Sequence, residues 1–379
     1  MNYLEKLSIK GFKAFTEETS IDFKKLTVLA GANSVGKSSV IQAILLGKMA
    51  IDKGLSVGYG VDEPILAKKI PLNGDYNLSL GTTRQITSTD RISLDFAFIK
   101  DYFNLYLDVP IDKTYLENSV ESVLFGGSNI LFGDFYYLSA ERIGPRALYD
   151  ESLSLKFIGY QGEYAMQMLV EGLTFDVSPE LNFHTVTKTS GASTDNLFDQ
   201  TNLWMQYIIP GIKLSADRLR DLNKSVASVN KHTMPNVGFG ISYVLPIVVA
   251  GLIAKDLSIL KDLSLFIIEN PEAHLHPSGQ TRIGEFFAAV AAQEGVQVII
   301  ETHSEHVING IRVAALKDYI KPSDILVNFL HRDEKKDRKI QIRPIEIKDN
   351  GEFSSFPPGF FDQHAQNLIE MTKYRMKKK

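Results

Sequence analysis

Three short stretches hold the side chains with which this chain could do chemistry. The first is Gly31-Ala32-Asn33-Ser34-Val35-Gly36-Lys37-Ser38-Ser39, which fits G-x-x-x-x-G-K-[ST]. Gly31 and Gly36 let the backbone curl so that successive N–H groups point inward at an anion. A helix starting near Ser38 adds the positive end of its dipole. Lys37 can then reach the β- and γ-phosphates of a nucleoside triphosphate, and the Ser38 hydroxyl can hold Mg²⁺. The second stretch is Leu263–Pro277, LSLFIIENPEAHLHP. Glu269 ends its apolar run, where a carboxylate can sit beside the Mg²⁺ opposite Lys37 and Ser38. Glu272 follows a proline turn and can polarise an attacking water.

The third stretch is Val296–His306, VQVIIETHSEH. His303 falls at the tip of a second buried strand, in reach of a γ-phosphate or the attacking water. His274-x-His276 together with His303 and His306 offers a competing metal site, although the spacing completes no familiar ligand set. A weaker signal is Asn236–Ser242, where Gly238 and Gly240 open a long helix and make another anion-ready N-terminus.

These residues need elements to position them. Leu26–Ala30 reads as a buried strand leading into the glycine loop, with a helix from Ser38 to Leu46 behind it. Ahead of it, Leu4–Phe12 and Thr16–Phe23 read as a hairpin around Lys13-Ala14-Phe15. Gly54–Asn73 reads as a surface excursion. Tyr76–Leu80, Arg91–Ile99 and Asn104–Val109 alternate as antiparallel strands do, and Asp134–Ala140 is a further strand running into Glu141-Arg142-Ile143-Gly144-Pro145-Arg146. Between 151 and 235 the pattern predicts helices at Glu163–Leu173, Asn196–Ile209 and Leu214–Leu222, with a flexible loop over Thr185–Thr194. From Val237 a helix (Ser242–Ala254), a strand (Ser264–Glu269), a helix (Ser278–Ala292) and a strand (Val296–Glu301) suggest parallel βαβ units. Residues 324–347 predict short strands around a charged loop. The expected division is 1–150, 151–235, 236–345 and a small C-terminal domain over 346–379.

Composition sets outer bounds. The chain has 379 residues, 44% apolar and 23% charged, ordinary values for a globular protein with room for several domains. A net charge of −4 leaves no global basic footprint, so any nucleic-acid contact would be local. The absence of cysteine removes disulfides, thiolate nucleophiles and Cys-based zinc sites, and fits a cytoplasmic location. No apolar signal region opens the chain. Ile241–Ala254 approaches the apolarity of a membrane span, but Pro246 and the breakers before it favour a buried helix and no membrane partner.

Together the motifs resemble the ABC-type ATPase heads of the SMC/RecF/OLD group. LEKLSIKGFKAF and the glycine loop are similar to that group's opening and Walker A motif, IIENPEAHLHP to its Walker B and D-loop, and ETHSEH to its switch histidine. NVGFGISYVLP, IENPEAHLHPSGQTRIGEF, QVIIETHSEHVINGIR and FPPGFFDQ resemble, more narrowly, a bacterial subfamily with a short C-terminal domain of unassigned role. The resemblance implies an α/β P-loop NTPase head with an N-terminal antiparallel β subdomain and a helical insertion. Lys37 and Ser38 would be phosphate and Mg²⁺ ligands of bound ATP, Glu269 the Walker B acid and second metal ligand, and His303 the switch histidine. Gly238 and Gly240 would be the signature loop. Gln85 is a weak match to the Q-loop glutamine. Asn270 stands where the catalytic glutamate is usual; an amide cannot take a proton from water, so Glu272 must substitute or hydrolysis is slow.

The resemblance further implies a homodimer closing on ATP, P-loop against the partner's signature loop. It implies a nucleotide-gated switch working with a separate effector in phage defence or genome maintenance. A RecF-like DNA clamp is the alternative, with the basic tail Lys373–Lys379 touching phosphates; a transporter's nucleotide-binding subunit is a more distant one. No nuclease signature is present, and the acids Asp333, Glu334 and Asp337 sit in a mixed-charge stretch that reads as a solvated turn.

Overall fold

The computed structural model of the chain describes residues 2–55, 68–119, 121–125, 134–152, 157–191, 194–255, 263–332 and 339–377. Three sheets organise them. In the first, β1 (Leu4–Lys10) pairs antiparallel with β2 (Thr19–Asp22) and β5 (Arg91–Phe98), and β6 (Tyr102–Asp108), β7 (Tyr115–Asn118) and β4 (Lys69–Pro71) continue the order, with β8 (Val123–Phe125) against β6. Strict alternation in β5 turns Ile92, Leu94, Phe96 and Phe98 inward, as a strand with one buried face requires.

The central sheet runs β14 (Ser264–Glu269), β15 (Val296–Glu301), β3 (Leu26–Gly31), β16 (Ile325–Arg332) and β17 (Ile340–Ile345). The first four are parallel and β17 is antiparallel to β16. β9 (Asp134–Leu138) lies beside β14, where the Asp134 N–H donates to the Leu263 carbonyl at 3.1 Å. Both faces of this sheet are covered. On one side lie α1 (Lys37–Leu55) and the first sheet, and on the other α5 (Leu197–Ile208), α6 (Phe239–Ile253), α7 (Pro277–Ala292) and α8 (Glu305–Leu316). Leu29, Leu265, Ile267 and Ile299 face α1, while Val28, Ala30, Phe266, Ile268, Val298 and Ile300 face the helices opposite. Carried to the strand ends, this period of two puts Glu269 and Glu301 side by side on the α1 face.

Between β10 (Tyr149–Asp150) and β11 (Leu214–Leu219) in the chain, α3 (Ala165–Glu171), α4 (Phe183–Thr187) and α5 form as helices, α5 capped by the Asn196 side chain. A small sheet of β10, β12 (Lys224–Val229) and β11, with β13 (His232–Thr233) against β12, accompanies them. The helix expected over Leu214–Leu222 is therefore a strand followed by a single turn: residues 214–219 pair in full register with 224–229. The strand expected at Tyr76–Leu80 is also absent, because Tyr76 adopts φ 53° inside a one-turn helix. Thr185–Thr194 starts as the end of α4 and not as loop. Of the excursion expected over Gly54–Asn73, residues 56–67 lie outside the described residues, as does the charged stretch 333–338; Gly54 and Leu55 end α1, and Lys69–Pro71 is strand β4 with Ile70 and Leu72 buried.

The apolar run at Ile241–Ala254 is the buried body of α6, with Pro246 inside it. Among the described residues no helix is long and apolar enough to cross a membrane. Further along, Phe360 is buried among the rings of Phe329, Phe353, Phe356 and Phe361, which anchors the FPPGFFDQ segment on β16. α2 (Thr83–Ile86) and the terminal α9 (Gln363–Lys377) complete the described elements.

Candidate functional site

The glycine loop leaves β3 as its spacing demands. Gly31 has φ 141°, and a Cβ there would lie 2.2 Å from the Leu330 carbonyl of β16, so only glycine fits beside that strand. Ser34 also turns left-handed (φ 62°), and its carbonyl accepts from the Arg332 guanidinium at 2.8 Å. Val35 and Ser39 are buried, and Ala32 and Asn33 line a cavity of ≈ 870 Å³ together with Phe329, Leu330, Pro358 and Gly359. Lys37 begins α1 and is only 3% exposed. Its ammonium donates to the carbonyls of Gly31 (3.0 Å) and Ala32 (2.7 Å). Burial pulls its pKa down, opposed by the charges of Glu301 and Glu272.

Ser38 turns to a residue that sequence reasoning passed over. Its hydroxyl donates to Glu301 Oε1 at 2.9 Å. Glu301 is 4% exposed, and its Oε2 has no hydrogen-bond partner among the described residues. Burial, then the charge of neighbouring Glu269, pushes its carboxyl up to about 7. The available signal was an acid ending a buried strand, the same one that singled out Glu269.

Glu269 is tied off elsewhere. Its Oε1 accepts from the Tyr137 hydroxyl at 3.0 Å and its Oε2 from the Ala140 N–H at 3.3 Å. Burial raises its pKa, partly offset by those two donors and by Arg142. Arg142 was a second omission. It is 3% exposed, donates to the carbonyls of Ser139 (3.0 Å), Glu269 (2.7 Å) and Asn270 (2.6 Å), and lies 5.2 Å from the centre of the Tyr243 ring on α6. Burial pulls its pKa down to about 10. An arginine after a strand carries no signal of such a role, since two of its three carbonyl partners lie 127 and 128 residues away.

Beyond Glu269 the chain turns sharply, with Asn270 at φ 45° and its N–H donating to the Glu301 carbonyl at 2.8 Å. Glu272 then reaches across to the neighbouring strand tip. Its Oε2 accepts from the Thr302 hydroxyl and its Oε1 from the His303 N–H, both at 2.7 Å. The His303 imidazole is exposed, and partial desolvation and the charge of Lys37 lower its pKa. The structure thus brings Lys37, Ser38, Glu269, Glu272 and His303 to one end of the central sheet, joined by Glu301.

Gly238 and Gly240 sit at the N-terminus of α6, where Gly240 packs on the turn after β14. A Cβ on Gly240 would lie 2.7 Å from the His274 carbonyl, whereas one on Gly238 would meet open space. Phe239 between them is 54% exposed. Gln85 stands apart from the site, its side chain accepting from the Thr82 N–H to cap α2. The histidine pair is spent on structure: His274 packs edge-on against Tyr243 with centroids 4.6 Å apart, and the His276 imidazole caps α7. No group of three or more His, Asp or Glu side chains that could hold a metal ion forms among the described residues.

The AAA ATPase domain family matches residues 3–143 and 167–308, and a second family, described as protein of unknown function (DUF3696), matches residues 320–371. The second match takes in β16 and β17, two strands of the central sheet. No curated protein matches the sequence. Among solved structures, the Smc head domain with an extended coiled coil bound to the C-terminal domain of ScpA, derived from Pyrococcus furiosus, is similar with a TM-score of 0.50. It is 12% identical, over 98% of this chain and 100% of that one. The SMC head domain from Thermotoga maritima has a TM-score of 0.42 at 12% identity, over 91% of this chain and 99% of that one. The fold is the α/β P-loop head expected from the motifs. With most of its length inside the first match, the chain belongs to the AAA ATPase domain family.

Proposed function

We propose that this chain binds and hydrolyses Mg-ATP, and that two copies close head to head on the nucleotide as a switch. The observation that carries the reading is the meeting of Lys37, Ser38 and three carboxylates at one end of a parallel sheet. Loop N–H groups and Lys37 would grip the phosphates. Mg²⁺, when bound, neutralises charge on the β- and γ-phosphates, and Ser38 with a strand-tip glutamate would hold it. Glu272 is the residue for the base, because Thr302 and His303 fix both its oxygens toward the switch strand and Asn270 offers only an amide. His303, exposed and with its pKa lowered by partial desolvation and the charge of Lys37, would orient water or a phosphate oxygen.

The pairing rests on the α6 N-terminus, where Phe239 is exposed and Gly238 faces open space. There a partner's nucleotide can approach the backbone. The similar Smc head from Pyrococcus furiosus was solved bound to part of ScpA, which supports a second protein as the reader of the switch. A separate effector in phage defence or genome maintenance fits that arrangement.

Binding and pairing are tested together. Saturating Mg-ATP at about a hundred times its Kd should stabilise the wild-type chain by about 2.7 kcal/mol. With Glu272→Gln slowing turnover, light scattering should report an ATP-dependent dimer. Gly238→Glu should bind ATP yet stay monomeric, because the added carboxylate would face the partner's phosphates. Gly240 is unsuitable for this test, as its Cβ would disturb the His274 turn within one chain. A dimer persisting in Gly238→Glu would sink the composite site.

A further inference from the structure

Resting on the ATPase reading, we propose that Glu301, and not Glu269, is the carboxylate that completes the Mg²⁺ site at Ser38. Strand order is the first reason. β15 lies between β14 and β3, so Glu301 is paired with Leu29 on one side and Glu269 on the other. Glu269 is one strand further from the loop, roughly 5 Å in the spacing of a sheet.

Hydrogen bonding is the second reason. Both oxygens of Glu269 already accept, from Tyr137 and Ala140, and Arg142 holds its own carbonyl. Reaching Ser38 would cost those bonds. Glu301 needs no such rearrangement, since Ser38 already donates to one oxygen. Its other oxygen is buried with no partner among the described residues, a costly state for a carboxylate unless something hard and positive meets it. Mg²⁺ is that kind of partner, taking few carboxylates alongside phosphate oxygens and water.

The test separates metal binding from turnover and uses the full chain. Affinity for ATP is titrated in EDTA and in Mg²⁺, and Mn²⁺ binding with a non-hydrolysable ATP analogue is followed by electron paramagnetic resonance. Glu301→Gln keeps the hydrogen bond to Ser38 but not the charge. It should retain the EDTA affinity, lose roughly tenfold or more of the gain from Mg²⁺, and weaken the bound Mn²⁺ signal. Glu269→Gln should keep the gain. Retention in Glu301→Gln, or loss only in Glu269→Gln, overturns the proposal; retained metal gain with lost turnover would make Glu301 a base instead. If Glu301→Gln does not fold, Glu301→Asp decides, because one methylene less should lower the Mg²⁺ gain and an unchanged gain counts against the assignment. A wild-type chain that binds no nucleotide in either buffer defeats the ATPase reading itself.

Discussion

Glu269 and Glu301 end adjacent parallel strands in direct register and on the same face, Glu301 buried and Glu269 partly so. Their surroundings differ all the same. The β14 tip is held by a distant segment, with Tyr137 and Ala140 on the carboxylate and Arg142 on the carbonyls of Glu269 and Asn270. The β15 tip is met by the start of α1, and one of its oxygens is unclaimed among the described residues. The lesson is that residue type and strand position do not settle what an acid does. The donors around it do: both oxygens of Glu269 are claimed, whereas Glu301 keeps one that no described residue meets.

The largest effect that would test this contrast is expected at the brace. Arg142→Ala leaves the carbonyls of Ser139, Glu269 and Asn270 without their donor in a buried turn, and should destabilise the chain by about 3 kcal/mol or more. Urea unfolding measures it, and Arg142→Lys should recover only part, since an ammonium cannot reproduce the planar fork. A loss within ~0.5 kcal/mol would show that the β14 tip does not depend on that clamp.

On the other side of the comparison, Lys37→Ala should weaken ATP binding roughly a hundredfold, about 2.7 kcal/mol, by removing a charged donor from the phosphates. Isothermal titration checks it. Near-normal affinity would remove the anion site beside Glu301 and with it the reason for a metal there.

A pH series on the ligand-free chain compares the two acids directly. The ordinary carboxyl value is 4.5, and Glu301 in the folded chain is pushed up to about 7. Between those values the folded state holds a proton that the unfolded state has released. Stability should therefore fall as pH rises from about 4.5 to about 7. Glu269 is shifted in the same direction. Glu301→Gln should flatten most of the fall and Glu269→Gln less of it. An unchanged slope in Glu301→Gln would show that its carboxyl is better solvated than its burial implies.

The smallest expected effect is Tyr137→Phe, about 1 kcal/mol for one hydrogen bond to a carboxylate that keeps its Ala140 donor. Denaturation measures the loss, and the Mg²⁺ gain should not change. A lost Mg²⁺ gain in this variant would place Glu269 back at the metal.

What the sequence determined by itself is local. Gly31 to Ser38 specify a loop whose backbone groups and lysine converge within eight residues, so no distant contact is needed to read it. The apolar runs ending at Glu269 and Glu301, and the helices between strands, likewise declare a parallel sheet with acids at its C-terminal edge. Gln85, matched on residue type alone, turned out to cap α2. Leu214–Leu222 has a short polar pattern that suits helix or hairpin, and pairing of Leu214–Leu219 with Lys224–Val229 decides for the strand. Only the tertiary structure could decide which glutamate faces Ser38. Both strands are apolar on both faces, so their periodicity hides the register, and the strand order that places β15 between β14 and β3 comes from long-range pairing. The clamp by Arg142 and the close fit of Gly240 under His274 have the same origin, in contacts between residues far apart in the chain.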